Sequence, residues 1–288
     1  MCNDTIRWLL DTGNPAVQHR TRTELLGLED DPAEALLWIT KKLPTDWHRT
    51  KGLWYVYYIN ALAECGLSQS MLPSEWFEAA LARIRTDFDF GCEAFMLLQA
   101  MVALGFGGHP DVQKIFSLLR DRQLPDGGFL CEKRRGRLSH FPKSCYKADY
   151  YALRLCSCCR KRGIVLDIEH DMIRYFLDRH LLFRRDDLEK PVLDAKAGWR
   201  NLDAFHPFEV MRVGIHNIME TISSLGYGAH PAAAEGWRWL DSARDDMGRV
   251  ILSGTLTKSY LPKEKVGQPS AWGTFYALLA ETERERWL

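Results

Sequence analysis

The sequence contains an internal repeat, which restricts the chain to folds built from similar units. The segment that begins at Leu104 reads LGFGGHPDVQKIFSLLRDRQLPDGGF, and the segment that begins at Leu225 reads LGYGAHPAAAEGWRWLDSARDDMGRV. They align without a gap, so His109 and His230 occupy the same position of the two copies. A weaker copy begins between them, at Arg162. The spacing gives a period of about 60 residues, which predicts a chain of repeated structural units.

Hydrophobic residues recur with helical spacing along the chain, and no run shows the alternation of a strand. Asn14-Pro15 and Asp31-Pro32 each have a capping residue followed by proline, a combination that opens helices. Loops are expected at 123–143 and 183–206. Twelve helices are predicted, at about residues 4–13, 14–28, 31–43, 53–65, 74–85, 92–104, 110–122, 144–161, 168–182, 207–225, 231–242 and 270–285.

The predicted helices are of two kinds. Those at 92–104, 144–159, 207–225 and 270–280 are apolar on most faces, which predicts burial, whereas 110–122, 168–182 and 231–244 carry a charged stripe. Alternation at a fixed period predicts an all-α fold, an α/α toroid (barrel) of about six helical hairpins with an inner and an outer helix ring. The rival is an open solenoid, but the period is longer than that of common helical repeats. Residues 1–288 are expected to form one domain, with the helical-repeat-like segment 1–45 packed on it.

Charge and length exclude several partner classes. The chain has 38 basic and 38 acidic residues, so no basic excess favours nucleic acid or an anionic membrane. No apolar run has the length of an integral membrane span. The first residues lack the pattern of a signal peptide, and the eight cysteines are therefore expected to be free thiols or metal ligands in the cytoplasm. The sequence does not give the oligomeric state.

Three segments resemble the terpenoid cyclase and protein prenyltransferase superfamily, the squalene-cyclase-type repeat. PDGGF at 125–129, followed by a helix that opens KSCYKADYYALRLC, is similar to the DGG(F/W) turn between an outer and an inner helix there. GQPSAWGTFYALLA at 267–280 and FHPFEVMRVGIHNIMETISSLGYG look like inner helices. The resemblance spans most of the chain from about residue 50. It implies the toroid and a preference for hydrophobic ligands.

The chain departs from the activities of that superfamily. Triterpene cyclases of this class protonate their substrate with an Asp of a DxDD motif, which is absent here. Protein prenyltransferases hold zinc with an Asp, a nearby Cys and a distant His, and no D-x-C is present. The resemblance therefore implies a scaffold and a ligand type, without a transferable catalytic motif.

Candidate catalytic residues lie near the expected starts of the inner helices, where backbone N–H groups gather. Asp149 would act as a general acid if aromatic surroundings raise its pKa, although pairing with Lys147, Arg154 or another cation is the simpler interpretation. Glu209 and Arg212, which share one side of the helix expected at 207–225 with His216, would face a cavity or form an intrahelical pair. The candidate catalytic set is Asp149, Glu209, Arg212 and His206.

Candidate substrate-binding residues are mostly aromatic. Their rings would fold a hydrophobic chain and stabilise carbocations, although aromatic side chains also simply fill cores. The candidates are Trp54, Tyr57, Tyr58, Cys92, Tyr146, Phe208 and Trp272.

A metal site is the next alternative. Cys131, Cys145 and His140, with His206 nearby in the expected geometry, would suit zinc, although buried free thiols are the simpler interpretation. His109 and His230 precede proline at the start of outer helices and are better explained as turn or cap residues. No cofactor is required by the sequence, and zinc is the one that it suggests.

The expected function is that of a terpenoid-cyclase-like enzyme, an isomerase or lyase. It would act on a hydrophobic or isoprenoid-type small molecule in the toroid lumen, by acid-initiated cyclisation or isomerisation. A zinc-dependent enzyme that uses Cys and His ligands at the toroid mouth is one alternative. A non-catalytic ligand-binding or scaffold toroid is the other, so the sequence leaves open whether the chain is catalytic.

Overall fold

A computed structural model describes residues 3–131, 143–192, 213–254 and 261–288. These residues are mainly helical, which confirms the all-α prediction. The α-helices within them are α1 (Asn3–Leu10), α2 (Pro15–Arg20), α3 (Ala33–Thr40), α4 (Leu53–Glu64), α5 (Glu78–Thr86), α6 (Cys92–Leu104), α7 (Pro110–Arg122), α8 (Tyr146–Arg160), α9 (Glu169–Leu177), α10 (Ile215–Ser224), α11 (Ala234–Ser242) and α12 (Ala271–Glu285).

The contacts divide the chain into two compact units. The first unit comprises the described residues within Met1–Thr45, Glu64–Gly66 and Arg179–Leu288. The second unit comprises those within Asp46–Ala63 and Leu67–Asp178. No helix of the described residues is both long enough and apolar enough to cross a membrane.

In the second unit, buried helices alternate with amphipathic ones. Helices α6 and α8 are buried on nearly all faces and pack along each other, while the amphipathic α5 and α7 pack together. Polar contacts join the buried helices: Asn60 of α4 donates to the backbone oxygen of Met96 (3.0 Å), and Gln99 donates to the Asn60 side chain. The two kinds of helix predicted from the sequence are therefore present.

The first unit repeats this alternation. The buried helices α10 and α12 pack against each other, and α10 also contacts the amphipathic α11. The N-terminal part joins α12 through Arg20, whose guanidinium pairs with Glu24 and donates to the Tyr276 hydroxyl (2.8 Å). The Tyr276 hydroxyl in turn donates to Glu64. This buried ionic network satisfies a charge that would otherwise be costly to bury.

The two copies of the repeat have the same local structure. His109 and His230 each precede a helical turn, and each Nδ1 accepts a backbone N–H two residues on, at 3.2 Å and 3.1 Å. Gly105 and Gly226 follow the preceding buried helices with φ of 110° and 93°, values that favour glycine. The prediction that the two histidines are caps is confirmed.

Three expectations are wrong in detail. A β-hairpin, β1 (Phe183–Arg184) and β2 (Asp187–Pro191), stands where only a loop was expected, because the short polar turn between them pairs the chain locally. Gly214 has an extended backbone (φ −92°, ψ 148°), so the helix expected at 207–225 begins only at Ile215. The helix expected at 168–182 ends at Leu177, since His180 and Leu181 have positive φ.

Candidate functional site

The candidate site lies in the second unit, where the DGGF turn meets the start of α8. The Asp126 carboxylate organises the turn: one oxygen accepts the Gly128 N–H (3.3 Å) and the other the Ser144 N–H (3.1 Å). The Cys145 N–H donates to the Phe129 carbonyl (2.7 Å). These bonds bring residues 126–129 against the segment that enters α8.

Asp149 lies in the first turns of α8 and is fully buried. Its Oδ1 accepts the Phe129 N–H (2.6 Å). The simpler expectation from the sequence was a pair with a cation such as Lys147 or Arg154, and a backbone donor is found at Oδ1 instead. Its Oδ2 makes no hydrogen bond by distance and angle within the described part of the chain. A Cβ on Gly128 would lie 2.6 Å from Oδ1, so only glycine allows this approach.

Burial raises the pKa of Asp149 to about 7, because the charged form loses its hydration. The Tyr175 hydroxyl, the Phe129 N–H and the Ser144 hydroxyl oppose this rise of the pKa, while the nearby Asp126 charge contributes to it. Ser144 and Tyr175 are themselves linked, with the Ser144 hydroxyl donating to that of Tyr175 (2.9 Å). The carboxyl group is therefore poised to hold or release a proton near neutral pH.

The second copy of the repeat makes equivalent hydrogen bonds with a different side chain. The Ser270 N–H donates to the Val250 carbonyl (2.7 Å), as Cys145 does to Phe129. The Val250 N–H donates to the Thr274 hydroxyl (2.9 Å), which stands where Asp149 stands in the first copy. A neutral hydroxyl is thus sufficient to hold the turn, and the buried carboxyl of Asp149 goes beyond that requirement.

Three of the candidate thiols lie near one another. A Cβ on Gly91 would lie 2.5 Å from the Cys131 Cβ, so Cys131 lies against the residue that precedes Cys92. Burial is the main cause that raises the pKa of Cys92 to about 12. The neighbouring Cys145 and Cys131 contribute to the rise, and Lys147 opposes it. All three cysteines are half-buried free thiols.

Metal ligation finds no support in the described ranges. Within residues 3–131, 143–192, 213–254 and 261–288, no group of three His, Cys, Asp or Glu side chains is placed to hold a metal ion. The candidate ligand His140 lies outside the described residues, as does His206. The zinc alternative stays a prediction.

The aromatic candidates at the start of α4 form one cluster. The Trp54 ring lies 5.6 Å from that of Tyr57 and 6.4 Å from that of Tyr58, measured between centroids. Trp54 is 38% exposed, while both tyrosines are buried. Tyr146 is also buried, with its ring 5.3 Å from Phe176. Of these four candidates, Trp54 alone is exposed enough to be reached from solvent without movement.

Trp272 lies in the first unit, in the first turn of α12, and is buried. The N-terminus of that helix is occupied by Glu264, whose carboxylate accepts the N–H groups of Ala271 (2.7 Å) and Trp272 (3.2 Å) and the Ser270 hydroxyl. Burial raises the pKa of Glu264, and these three donors lower it. The Glu264 carboxylate therefore occupies the position at this helix start where an anion was expected to bind.

Three further candidates, Phe208, Glu209 and Arg212, lie outside the described residues. The stripe expected to join Glu209 and Arg212 with His216 on one helix is interrupted, because Gly214 is extended. Sequence reasoning missed Ser144, Tyr175 and Glu264. Ser144 and Tyr175 are 31 residues apart, so no local pattern could have found their contact.

No protein-family model, curated protein or solved structure matches this chain. The resemblance to terpenoid cyclases therefore stays an expectation from sequence segments.

Proposed function

We propose that the chain is an enzyme that uses Asp149 as a general acid on a hydrophobic, isoprenoid-type small molecule. The reaction would be an acid-initiated cyclisation or isomerisation, similar to that of terpenoid cyclases. The observation that carries the proposal is the fully buried Asp149 carboxyl, whose pKa is raised to about 7. At neutral pH a large fraction of it holds a proton, as an acid catalyst must.

Asp149 alone would supply the proton that starts the reaction. Asp149 Oδ2 would give its proton to one carbon of a C=C bond, leaving a carboxylate and a carbocation on the substrate. Rings such as Phe129, which packs on Phe95 at 4.7 Å between centroids, and Tyr175 would stabilise the cation through their faces. Loss of a proton from the cation ends the reaction, and the carboxylate regains its proton from solvent through Tyr175 and Ser144.

The scaffold in this proposal is the α/α toroid, with the buried helices as its inner ring. Support comes from the alternation of buried and amphipathic helices within each unit. Neighbouring buried helices pack together, α6 with α8 and α10 with α12, as consecutive inner helices would. The toroid gives the hydrophobic ligand an enclosed position and excludes water from the cation.

A second candidate is a ligand-binding or scaffold protein without catalysis. Thr274 favours it, because this neutral side chain holds the equivalent turn of the other repeat. Under this alternative Asp149 would be a turn acceptor and nothing more. The two candidates differ in whether the proton of Asp149 matters.

The repeat itself supplies the variant that separates them. Asp149→Thr introduces the residue that already performs the turn contact in the other copy, and so removes the acid while keeping an acceptor. Wild type and variant would be incubated with squalene, farnesol and geranylgeraniol, and products identified by gas chromatography with mass spectrometry. We expect turnover by wild type and a loss of at least about 100-fold in Asp149→Thr, a typical contribution of a general acid.

Two controls accompany this experiment. Asp149→Asn keeps the size and removes the acid, and Thr274→Ser keeps the hydroxyl in the other repeat and should retain full activity. Circular dichroism verifies that each variant is folded. Unchanged turnover in a folded Asp149→Thr variant, or no product from wild type with any substrate, would overturn the catalytic proposal in favour of the second candidate.

A further inference from the structure

Helix α10 of the first unit is buried along its whole length and yet is largely polar. All ten residues from Ile215 to Ser224 are buried, and six of them carry polar side chains. In the buried helix α6, by contrast, Gln99 is the one polar side chain among the buried residues. Polar groups inside a protein need hydrogen-bond partners, so a helix of this composition needs a reason.

The polar side chains of α10 are not scattered around the helix. Successive residues of an α-helix are rotated by about 100°, which places Glu220, Ser224, Asn217 and Thr221 next to one another on an arc of about 100°. We name these four residues the polar arc. Met219 marks the opposite side, since its sulfur lies against Gly236 of α11. The polar arc therefore lies on the side of α10 that faces away from α11.

Hydrogen bonds within the polar arc join Ser224, Thr221 and Glu220. The Ser224 hydroxyl donates to the Thr221 carbonyl (2.8 Å), and the Thr221 hydroxyl lies 3.4 Å from a carboxylate oxygen of Glu220. Asn217 is different: it is 7% exposed, and its Nδ2 has no hydrogen-bond partner among the described residues. A buried amide donor without an acceptor destabilises a folded protein, which suggests that a bound molecule supplies one.

We propose that the polar arc of α10 binds a neutral small molecule that carries several hydroxyl groups. A hydroxyl oxygen accepts the hydrogen bond that Asn217 offers, and a hydroxyl hydrogen can be donated to the Glu220 carboxylate. An ammonium group offers no acceptor to Asn217, and a carboxylate offers no hydrogen to the Glu220 carboxylate. This site belongs to the first unit and does not depend on the acid chemistry proposed for Asp149.

The test uses the full chain with myo-inositol, D-glucose and glycerol as probes, and tetramethylammonium and acetate as charged comparisons. Binding is followed by saturation-transfer NMR and by the thermal midpoint Tm. We expect at least one polyol to bind saturably to wild type and to raise its Tm, with neither charged compound doing so. Asn217→Leu should weaken that binding by roughly tenfold or more, the effect of losing one buried hydrogen bond.

The free protein gives a second signature. Asn217→Leu should keep or raise the Tm of the ligand-free protein, because it removes a buried donor that lacks a partner. Ser223→Ala is the matched control, a buried polar residue of the same helix outside the polar arc, and should leave polyol binding within about twofold. Asn217→Ala and Thr221→Val repeat the binding test if the leucine variant does not fold.

Several results would overturn the proposal. One is the absence of saturable binding by all three polyols. Another is equal binding to wild type and to the Asn217 variants. A third is a loss of polyol binding in Ser223→Ala as large as that in the Asn217 variants. The first result would leave a buried water as the partner of Asn217. Because Asp149→Thr keeps the polar arc intact, polyol binding to that variant separates failure here from failure of the catalytic proposal.

Discussion

At the scale of single residues, the comparison of Asp149 with Thr274 is the most informative. Both side chains accept a backbone N–H from the turn before a buried helix, from Phe129 and Val250 respectively. The contact is the same, but a carboxyl group in a fully buried position has a strongly shifted pKa, whereas a hydroxyl does not titrate. A titratable group is therefore present at one of two equivalent positions, and a neutral hydroxyl at the other.

The shifted pKa of Asp149 predicts a dependence of stability on pH. In the unfolded chain the group titrates near 4, and in the folded protein near 7, so between these values the folded state holds the proton more tightly. Its contribution to stability is therefore lost as the pH rises from about 4 to about 7. Asp149→Asn should remove this loss, and its stability relative to wild type should increase over that window, by up to about 4 kcal/mol.

Urea unfolding of both proteins at intervals from pH 4 to pH 8 measures this difference. Thr274→Ser serves as the control because it alters the equivalent position without changing a titrating group, and its offset from wild type should be flat with pH. A pH-independent offset for Asp149→Asn would show that the carboxyl group titrates at its ordinary pKa in the folded protein.

At the scale of elements, the two copies of the repeat resemble each other more in the structure that starts the helical turns at 110 and 231 than in the sequence of those turns. His109 and His230 have nearly the same backbone, with ψ of 136° and 139°, and both use Nδ1 as the acceptor. Pro110 and Pro231 follow them, and proline fits the first helical position because its missing N–H would lack a partner there. Histidine thus acts in both copies as a cap, a role in which Asn and Ser are common.

The caps can be tested as a matched pair. His109→Ala and His230→Ala each remove an acceptor at a helix start and should lower the free energy of unfolding by about 1 kcal/mol. His109→Asn and His230→Asn replace it with a strong capping residue and should restore most of the loss. Chemical denaturation measures all four variants. A loss in the alanine variants that asparagine does not restore would assign the two histidines to packing instead of capping.

At the scale of the whole molecule, both units bury helices on all faces, and this burial also controls the cysteines. Cys65, Cys156 and Cys159 are buried, and burial raises the pKa of each thiol. A raised pKa keeps a thiol protonated and unreactive, because the thiolate is the nucleophile. Cys131 and Cys145 are half-buried and differ from these three in access to solvent.

Thiol alkylation should therefore report the integrity of both units. In the native protein, iodoacetamide should modify Cys131 and Cys145 at least about tenfold faster than Cys65, Cys156 and Cys159, and unfolding in urea should remove the difference. Peptide mapping by mass spectrometry assigns each site. Equal rates at all five cysteines in the absence of urea would contradict the burial described for Cys65, Cys156 and Cys159.

The sequence alone determined the helical class, the two kinds of helix and the caps of the repeat. Those features depend on residues within a few positions of each other, where hydrophobic spacing and capping chemistry act directly. It also selected Asp149, Cys92, Cys131 and Cys145 as candidates, since helix starts can be located from the same local signals. The ring arrangement of the helices stays a prediction.

Only the tertiary structure decided which distant groups meet. The Phe129 N–H and the Tyr175 hydroxyl act on the pKa of Asp149, and Arg20 reaches Tyr276 across 256 positions of the chain. The extended Gly214 that shortens α10, and the donor of Asn217 that no described residue satisfies, likewise depend on how the chain is packed. Contacts of this kind follow the path of the folded chain through space, and a one-dimensional pattern of residues does not contain that path.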